Sequence, residues 1–145
     1  MGTVYLTGML WNFVLGKDTY LVCNYKTKKE AFIMCRIGDI YMARLDMDTE
    51  GSLQSGIRPV LVISNDKANQ YSPVITIIPI TSNTGKKRLP THVFIRGCGL
   101  LQQSIVLVEQ ITSLNQTRLL RKIGSIQRTG YEEKIRNAIK VQLDM

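Results

Sequence analysis

Residues 56–63 read Gly-Ile-Arg-Pro-Val-Leu-Val-Ile, and the second half of this octet decides the fold. Val60 to Ile63 is β-branched and aliphatic without a break, the composition of a strand covered on both faces. Pro59 stands at its start, where no ladder donor is required. Just ahead lies Arg58, an always-charged guanidinium set between a flexible glycine segment and an apolar run that belongs in a core. A permanent cation is thereby placed at the edge of a rigid element, facing a loop, and Arg58 becomes the residue to explain.

On the N-terminal side of the octet, residues 37–45 carry apolar side chains at both odd and even positions, which predicts another strand largely covered by other elements. Between the two strands runs DMDTEGSLQSGI (46–57), a loop whose acids Asp46, Asp48 and Glu50 meet no base and whose Gly and Ser residues predict a mobile, solvated segment able to act as a lid. On the C-terminal side, Asn65 to Pro73 reads as a turn or short helical crossover, and VITIIPIT (74–81) as a third strand. Pro79 implies that this strand lies at an edge or carries a bulge. Thr81 is expected at the strand terminus, its hydroxyl held rigidly and facing outward.

The loop SNTGKKRLP (82–90) bears Lys86, Lys87 and Arg88 in a row, and residues 91–95 form a short strand that leads to a glycine turn, RGCG (96–99). Residues 104–110, SIVLVEQ, read as a central strand that 111–114 continues or bends. Glu109 at its end is open to two readings, a general base or a partner that pairs with an arginine to fix the fold, and the second is preferred beside a basic patch. The final element is a helix. Thr129 with Glu132 forms the capping-box pattern, and Tyr131, Ile135, Ala138 and Ile139 share one face directed at the sheet.

Composition limits what these elements can build. A chain of 145 residues, 44% hydrophobic and 21% charged, supports one sizeable core. Its formal charge of +8 favours polyanionic partners, nucleic acid first, over solubility alone. The excess is concentrated in residues 82–128, where eight bases face the single acid Glu109. Such density suits phosphate contacts, each non-specific and salt-sensitive. Cys23, Cys35 and Cys98 show no paired metal spacing, which points to a reduced, cytosolic setting. His92, the one histidine, completes no metal cluster with them and reads as a surface or packing residue at a strand start.

Residues 1–33 stand apart. Met9 to Leu15 is apolar but too short to span a bilayer and has no basic residue before it, so it makes a poor signal peptide. No helical or alternating period links it to the polar stretch Lys26 to Glu30. The expected organisation is an N-terminal extension over 1–33, with Met34 a second possible translation start, and one domain over 34–145.

Four blocks, RIGDIYMARL (36–45), GSLQSGIRPVLVISND (51–66), ITSNTGKKRLPTHV (80–93) and SIVLVEQITSL (104–114), together resemble the MazF/PemK (Kid) family of bacterial toxin endoribonucleases, in the family's order and spacing. The resemblance implies an α+β fold that is mostly β: a compact, antiparallel, β-barrel-like sheet of the MazF/Kid/CcdB type with a C-terminal helix. It implies a cytoplasmic bacterial homodimer that cleaves single-stranded mRNA at short motifs without a metal or other cofactor. The ribose 2′-OH would be the nucleophile, leaving a 2′,3′-cyclic phosphate and a 5′-hydroxyl. It also implies a MazE-like antitoxin as partner, with DNA reached only through the antitoxin complex and no membrane association.

Residue by residue, Arg58 matches the family's catalytic arginine and Thr81 its active-site Ser/Thr. Ser52 and Gln54 match lid residues, Asn65 and Gln110 resemble positions along the family's RNA groove, and Ser82, Lys86 and Lys87 extend the expected substrate-binding set. One position departs. The family often carries a glutamate proposed as general base where this chain has Leu53, so Glu50 of the same loop becomes the substitute candidate. Two other readings of the fold stand beside the nuclease: a CcdB-like toxin that binds gyrase without catalysis, and a catalytically weak member that binds RNA or antitoxin.

Overall fold

The computed structural model describes residues 2–6, 9–13, 34–46, 53–85 and 87–145. The chain divides into two compact units, Met1–Ala31 and Phe32–Met145. The first contains an antiparallel hairpin of β1 (Gly2–Leu6) and β2 (Met9–Phe13), with Val4 opposite Trp11. The sequence leaves the order of the 1–33 extension open, between no fixed structure and an extra strand or helix. The local composition nevertheless suits strands, because Thr3, Val4 and Tyr5 face a segment holding Trp11 and Phe13.

In the second unit β3 (Asp39–Leu45), β4 (Gly56–Val62) and β5 (Val74–Thr81) form the centre of an antiparallel sheet, with helix α1 (Asp66–Tyr71) between the latter two. The strands β6 (His92–Ile95), β7 (Ser104–Leu107), β8 (Thr112–Asn115) and β9 (Leu119–Ser125) follow, and helix α2 (Tyr131–Leu143) ends the chain. The spatial order is β6-β7-β5-β4-β3-β9, with β8 added along the first half of β5. Both faces of the central strands are covered, as their unbroken apolar runs predict. Ile40, Leu61, Ile78 and Ile80 pack on one face with Ile135 and Ala138 of α2. Tyr41, Ala43, Val60, Val62, Ile75 and Ile77 pack on the other with Leu114 and Leu119.

The antiparallel sheet and the C-terminal helix match the expected class, while barrel-like closure is loose: β6 and β9 end the sheet and do not pair. The turn after β6 reaches β9 in another way. A Cβ on Gly99 (φ +87°) would lie 1.8 Å from the Ile123 carbonyl oxygen, and one on Gly124 would lie 1.8 Å from the Cys98 carbonyl oxygen. Only two glycines let these backbones touch.

Three local expectations change. The Thr129–Glu132 capping box does not form; the helix begins two residues later, with Gly130 at the cap, and Thr129 Oγ1 instead accepts from Tyr131 N–H (3.3 Å). Pro79 does not mark an edge, because β5 is interior. It falls where β5 changes partner, since β8 pairs residues 74–77 and β7 pairs 80–81, so no ladder donor is missed on that side. The strand expected over 104–110 stops at Leu107, and of the two readings for 111–114 the bend holds, because a 3-10 turn at Val108–Gln110 separates β7 from β8. That turn delivers Glu109 and Gln110 to the side of the sheet where Pro79 lies.

Candidate active site

Gly56 adopts φ +74°, a backbone state that releases the chain from the preceding loop into β4. Two residues later Arg58 lies opposite Ala43 of β3, half-buried, with its Nε donating to the Ser55 carbonyl at 2.7 Å. The β4–β5 ladder pairs Val60 with Pro79, and the same register continued by two residues sets Arg58 opposite Thr81. Alternation puts both side chains on the face of Val60 and Ile77, at the margin of that core. Among the described residues no carboxylate pairs with Arg58. Among the described residues its guanidinium is held at one nitrogen, Nε.

Thr81 is buried, 4% exposed, where an outward-facing hydroxyl was expected. The reason is its pairing with Ile105 of β7, which covers the end of β5. Its Oγ1 accepts from the Asn83 N–H at 3.2 Å, which fixes the oxygen and leaves the hydroxyl hydrogen to donate. A fixed cation and a fixed hydroxyl at facing strand positions can bind a tetrahedral oxyanion from two sides.

A cleft of about 390 Å³ reaches β5 at Pro79, two residues before Thr81, and is lined among others by Leu53, Gln54, Glu109, Gln110 and Leu114. Gln54 N–H donates to Gln110 Oε1 at 2.9 Å, so the segment after the lid is tied to the 3-10 turn. The structure therefore joins Gln54 to Gln110 and, in continued strand register, sets Arg58 opposite Thr81, with Ser82 exposed next to Thr81. Leu53 is 60% exposed and offers no proton acceptor.

Other expected site residues fall elsewhere. Asn65 caps α1, its Oδ1 accepting from Ala68 N–H at 2.9 Å, beyond the end of β4 opposite to Arg58. That role occupies the side chain locally and sets it apart from the Arg58–Thr81 pair. Lys87 is exposed in the loop after β5. Glu50, Ser52 and Lys86 lie outside the described residues. Part of the basic excess is engaged within the protein: Arg118 pairs with Asp46, Lys122 with Asp39 at 2.7 Å, and Arg88 lies 5.0 Å above the Phe94 ring.

Glu109 is paired, though not with an arginine. His92 Nε2 lies 3.0 Å from Glu109 Oε1, and Thr91 Oγ1 donates to Oε2 at 3.2 Å. His92 has a 3% exposed side chain, so of the two expected roles it has the packing one, with a hydrogen bond to Glu109 in addition. Sequence reasoning missed this unit because its members are 17 positions apart, and no local period joins the start of β6 to a turn after β7. A lone buried-strand histidine and a lone acid in a basic region were the only signals.

Burial pushes the thiols of Cys35 and Cys98 and the Tyr41 phenol above their ordinary values, with the Asp39 charge adding to the effect at Cys35 and Tyr41. All three groups are distant in sequence from the Arg58–Thr81 pair or lie on other elements. Among the described residues no group of three His, Cys, Asp or Glu could hold a metal ion, and no helix is long and apolar enough to cross a membrane.

Comparison with known proteins places these features in context. Residues 36–143 match the family described as PemK-like, MazF-like toxin of type II toxin-antitoxin system. The chain is 40% identical over 114 residues to an endoribonuclease MazF of Staphylococcus saprophyticus, covering 77% of this chain and 93% of that protein. A solved Mycobacterium tuberculosis toxin, MazF-mt6, superposes with a TM-score of 0.62 at 26% identity, covering 74% of this chain and 97% of that one. A mycobacterial endoribonuclease solved in complex with its cognate antitoxin shares the fold at 20% identity, with a TM-score of 0.62 over 77% of this chain and 96% of that one.

Proposed function

The chain belongs to the PemK-like, MazF-like family of toxins of type II toxin–antitoxin systems, and from that premise we propose that it is an endoribonuclease that cuts single-stranded mRNA without a metal. The observation that carries this reading is the Arg58–Thr81 pair, a cation with no acid partner among the described residues, set by the continued β4–β5 register opposite a buried, oriented hydroxyl. RNA supplies its own nucleophile. The enzyme has to align the 2′-OH with the adjacent phosphate, move two protons and bind the charge that develops. In this mechanism the 2′-oxygen attacks phosphorus as its proton leaves, the bond to the 5′-oxygen breaks, and that oxygen takes up a proton. The products are a 2′,3′-cyclic phosphate and a 5′-hydroxyl.

Arg58 stabilises the dianionic phosphorane and Thr81 donates to one of its non-bridging oxygens. Glu50 of the lid loop receives the 2′-OH proton in place of the glutamate that Leu53 replaces. Gln54, Gln110, Ser52, Ser82, Lys86 and Lys87 contact the strand on either side. The working unit is a homodimer, and a MazE-like antitoxin with an acidic, disordered tail covers the basic RNA surface. The test is incubation of the purified protein with a long single-stranded RNA in EDTA. Fragments with cyclic-phosphate and 5′-hydroxyl ends are expected. Intact RNA together with inhibited DNA supercoiling by gyrase would overturn the proposal in favour of a non-enzymatic toxin.

A further inference from the structure

Residues 82–90 leave β5 directly after Thr81 and return to β6, carrying Lys86, Lys87 and Arg88 in succession. Adjacent cations repel one another, and a loop free to spread them would lose that freedom each time it met a phosphate. The structure ties this loop at both ends. At its start, Asn83 N–H donates to Thr81 Oγ1 at 3.2 Å and Gly85 N–H donates to Asn83 Oδ1 at 3.1 Å. At its end, Leu89 and His92 bond reciprocally: the Leu89 carbonyl accepts from the His92 N–H at 3.0 Å, and the Leu89 N–H donates to His92 Nδ1 at 3.4 Å. Arg88 lies 5.0 Å from the Phe94 ring centroid, which draws one cation of the run back onto β6. Lys87 stays exposed, with no acid partner among the described residues.

His92 connects that end of the loop to the interior, its side chain only 3% exposed. An imidazole whose Nδ1 accepts carries its proton on Nε2, and Nε2 lies 3.0 Å from Glu109 Oε1. Glu109 Oε2 accepts from Thr91 Oγ1 at 3.2 Å, so one carboxylate holds both residues that follow Pro90. Glu109 in turn belongs to the 3-10 turn Val108–Gln110, whose Val108 is buried in one core with Ile135 and Ala138 of α2. The acid therefore fixes the ring and its tautomer from a rigid base, and the ring offers Leu89 an acceptor of fixed direction. We propose that His92 is a positioning residue for RNA binding: its Nδ1 roots the basic loop at Leu89, and the rooted loop presents Lys87 to a backbone phosphate of the bound strand. The role rests on the nuclease reading for its substrate and adds the residue that prepares a phosphate contact. His92 itself touches no substrate. It keeps ordered a cationic loop that would otherwise have to be ordered on binding.

The experiment measures binding of a 2′-fluoro single-stranded RNA, which has no 2′-OH to attack, as a function of salt concentration. Each phosphate contact on a single strand adds about 0.7 to the magnitude of the slope of log K against log salt. His92→Leu removes both ring contacts. His92→Gln places an amide N–H near the position of Nε2, keeping the donor to Glu109, but offers Leu89 no acceptor. His92→Asn places an oxygen near the position of Nδ1 and restores that acceptor. The first two variants should lose about 0.7 of slope, the value of one contact, and His92→Asn should retain the wild-type slope. Lys87→Ala should lose the same amount, and adding His92→Gln to it should lose no more, because both act on one contact. Circular dichroism checks that each variant is folded. Wild-type slopes in folded His92→Gln and His92→Leu, a loss in His92→Asn as large as in His92→Gln, or additive losses in the double variant would each overturn the assignment. Should neither His92→Gln nor His92→Leu fold, hydrogen exchange in the wild type decides: the Leu89 amide, on an exposed residue, is protected if Nδ1 holds it, and exchange at the open-chain rate overturns the role. Cleavage of the corresponding 2′-OH RNA is scored separately. A wild-type protein that binds the 2′-fluoro strand but leaves RNA intact fails the nuclease reading alone, and the slopes still decide the role of His92. One that binds no single strand overturns that role.

Discussion

Arg58 carries the proposed chemistry at the residue scale, and its setting says what its removal should do. The side chain is half-buried, makes one hydrogen bond through Nε, and has no acid partner among the described residues, so truncation leaves no orphaned buried charge. Arg58→Ala is expected to lower the cleavage rate by about 10²–10³-fold with an unchanged thermal midpoint. Gel-based cleavage and circular dichroism check the two halves of that statement. Thr81→Ala removes a donor from a tightly covered position, and the same loss of rate is expected, whereas Thr81→Ser keeps the hydroxyl and should retain most activity. Leu53 offers the converse experiment. At 60% exposure it tolerates a charge, so Leu53→Glu should fold normally and raise the single-turnover rate by placing a carboxylate where the family often has one. An unchanged rate would show that proton removal is already met by another group. Arg58 and Thr81 were legible from the sequence because each sits at the end of a strongly patterned strand. The Glu109–His92 unit was not, because nothing local distinguishes an acid that pairs with arginine from one that pairs with a histidine on another strand.

At the scale of elements, the apolar runs specify strands better than they specify where strands end or what covers them. β3, β4, β5 and α2 were readable from composition and period. β9 was not, since Leu119–Ser125 carries Arg121, Lys122 and a glycine in a strand at the sheet's end, a composition that discourages edge pairing but gives a weak strand signal. Its role depends on the contact with the RGCG turn. With Cβ positions only 1.8 Å from opposing carbonyl oxygens, neither Gly99 nor Gly124 accepts a methyl group without moving main chain. Gly124→Ala is expected to cost about 3 kcal/mol or more, measured as a fall in the urea midpoint. A variant of ordinary stability would show that the two ends of the sheet are not held together by this contact. The failed capping box has a similar lesson. Thr129 could serve Glu132 or the turn before the helix, and its hydroxyl donates to the Ile126 carbonyl, a bond set by the chain's return from β9.

For the whole molecule, burial and charge give a pH dependence. The Cys35 thiol and Tyr41 phenol are raised above their ordinary values of 9.0 and 10.0, first by burial and then by the Asp39 charge. The folded state therefore holds these protons more tightly than the unfolded chain. The stability this contributes is fully present below the ordinary values and is lost as pH rises through the folded ones. The urea midpoint should be flat from about pH 7 to about pH 8.5 and decline above about pH 9, with a shallower decline in Cys35→Ala. A decline of the same slope in that variant would assign the effect to other groups. By itself the sequence determined the antiparallel β-rich class, the terminal helix, the basic surface and the Arg58–Thr81 candidates, because strand patterning, charge and position along a strand are properties of neighbouring residues. Only the tertiary structure decided that Pro79 marks a change of strand partner, that two glycines join the ends of an open sheet, and that Glu109 is turned into a cleft by a buried histidine. Each of these depends on which distant segments meet, and that is set by the packing of both faces of the sheet at once.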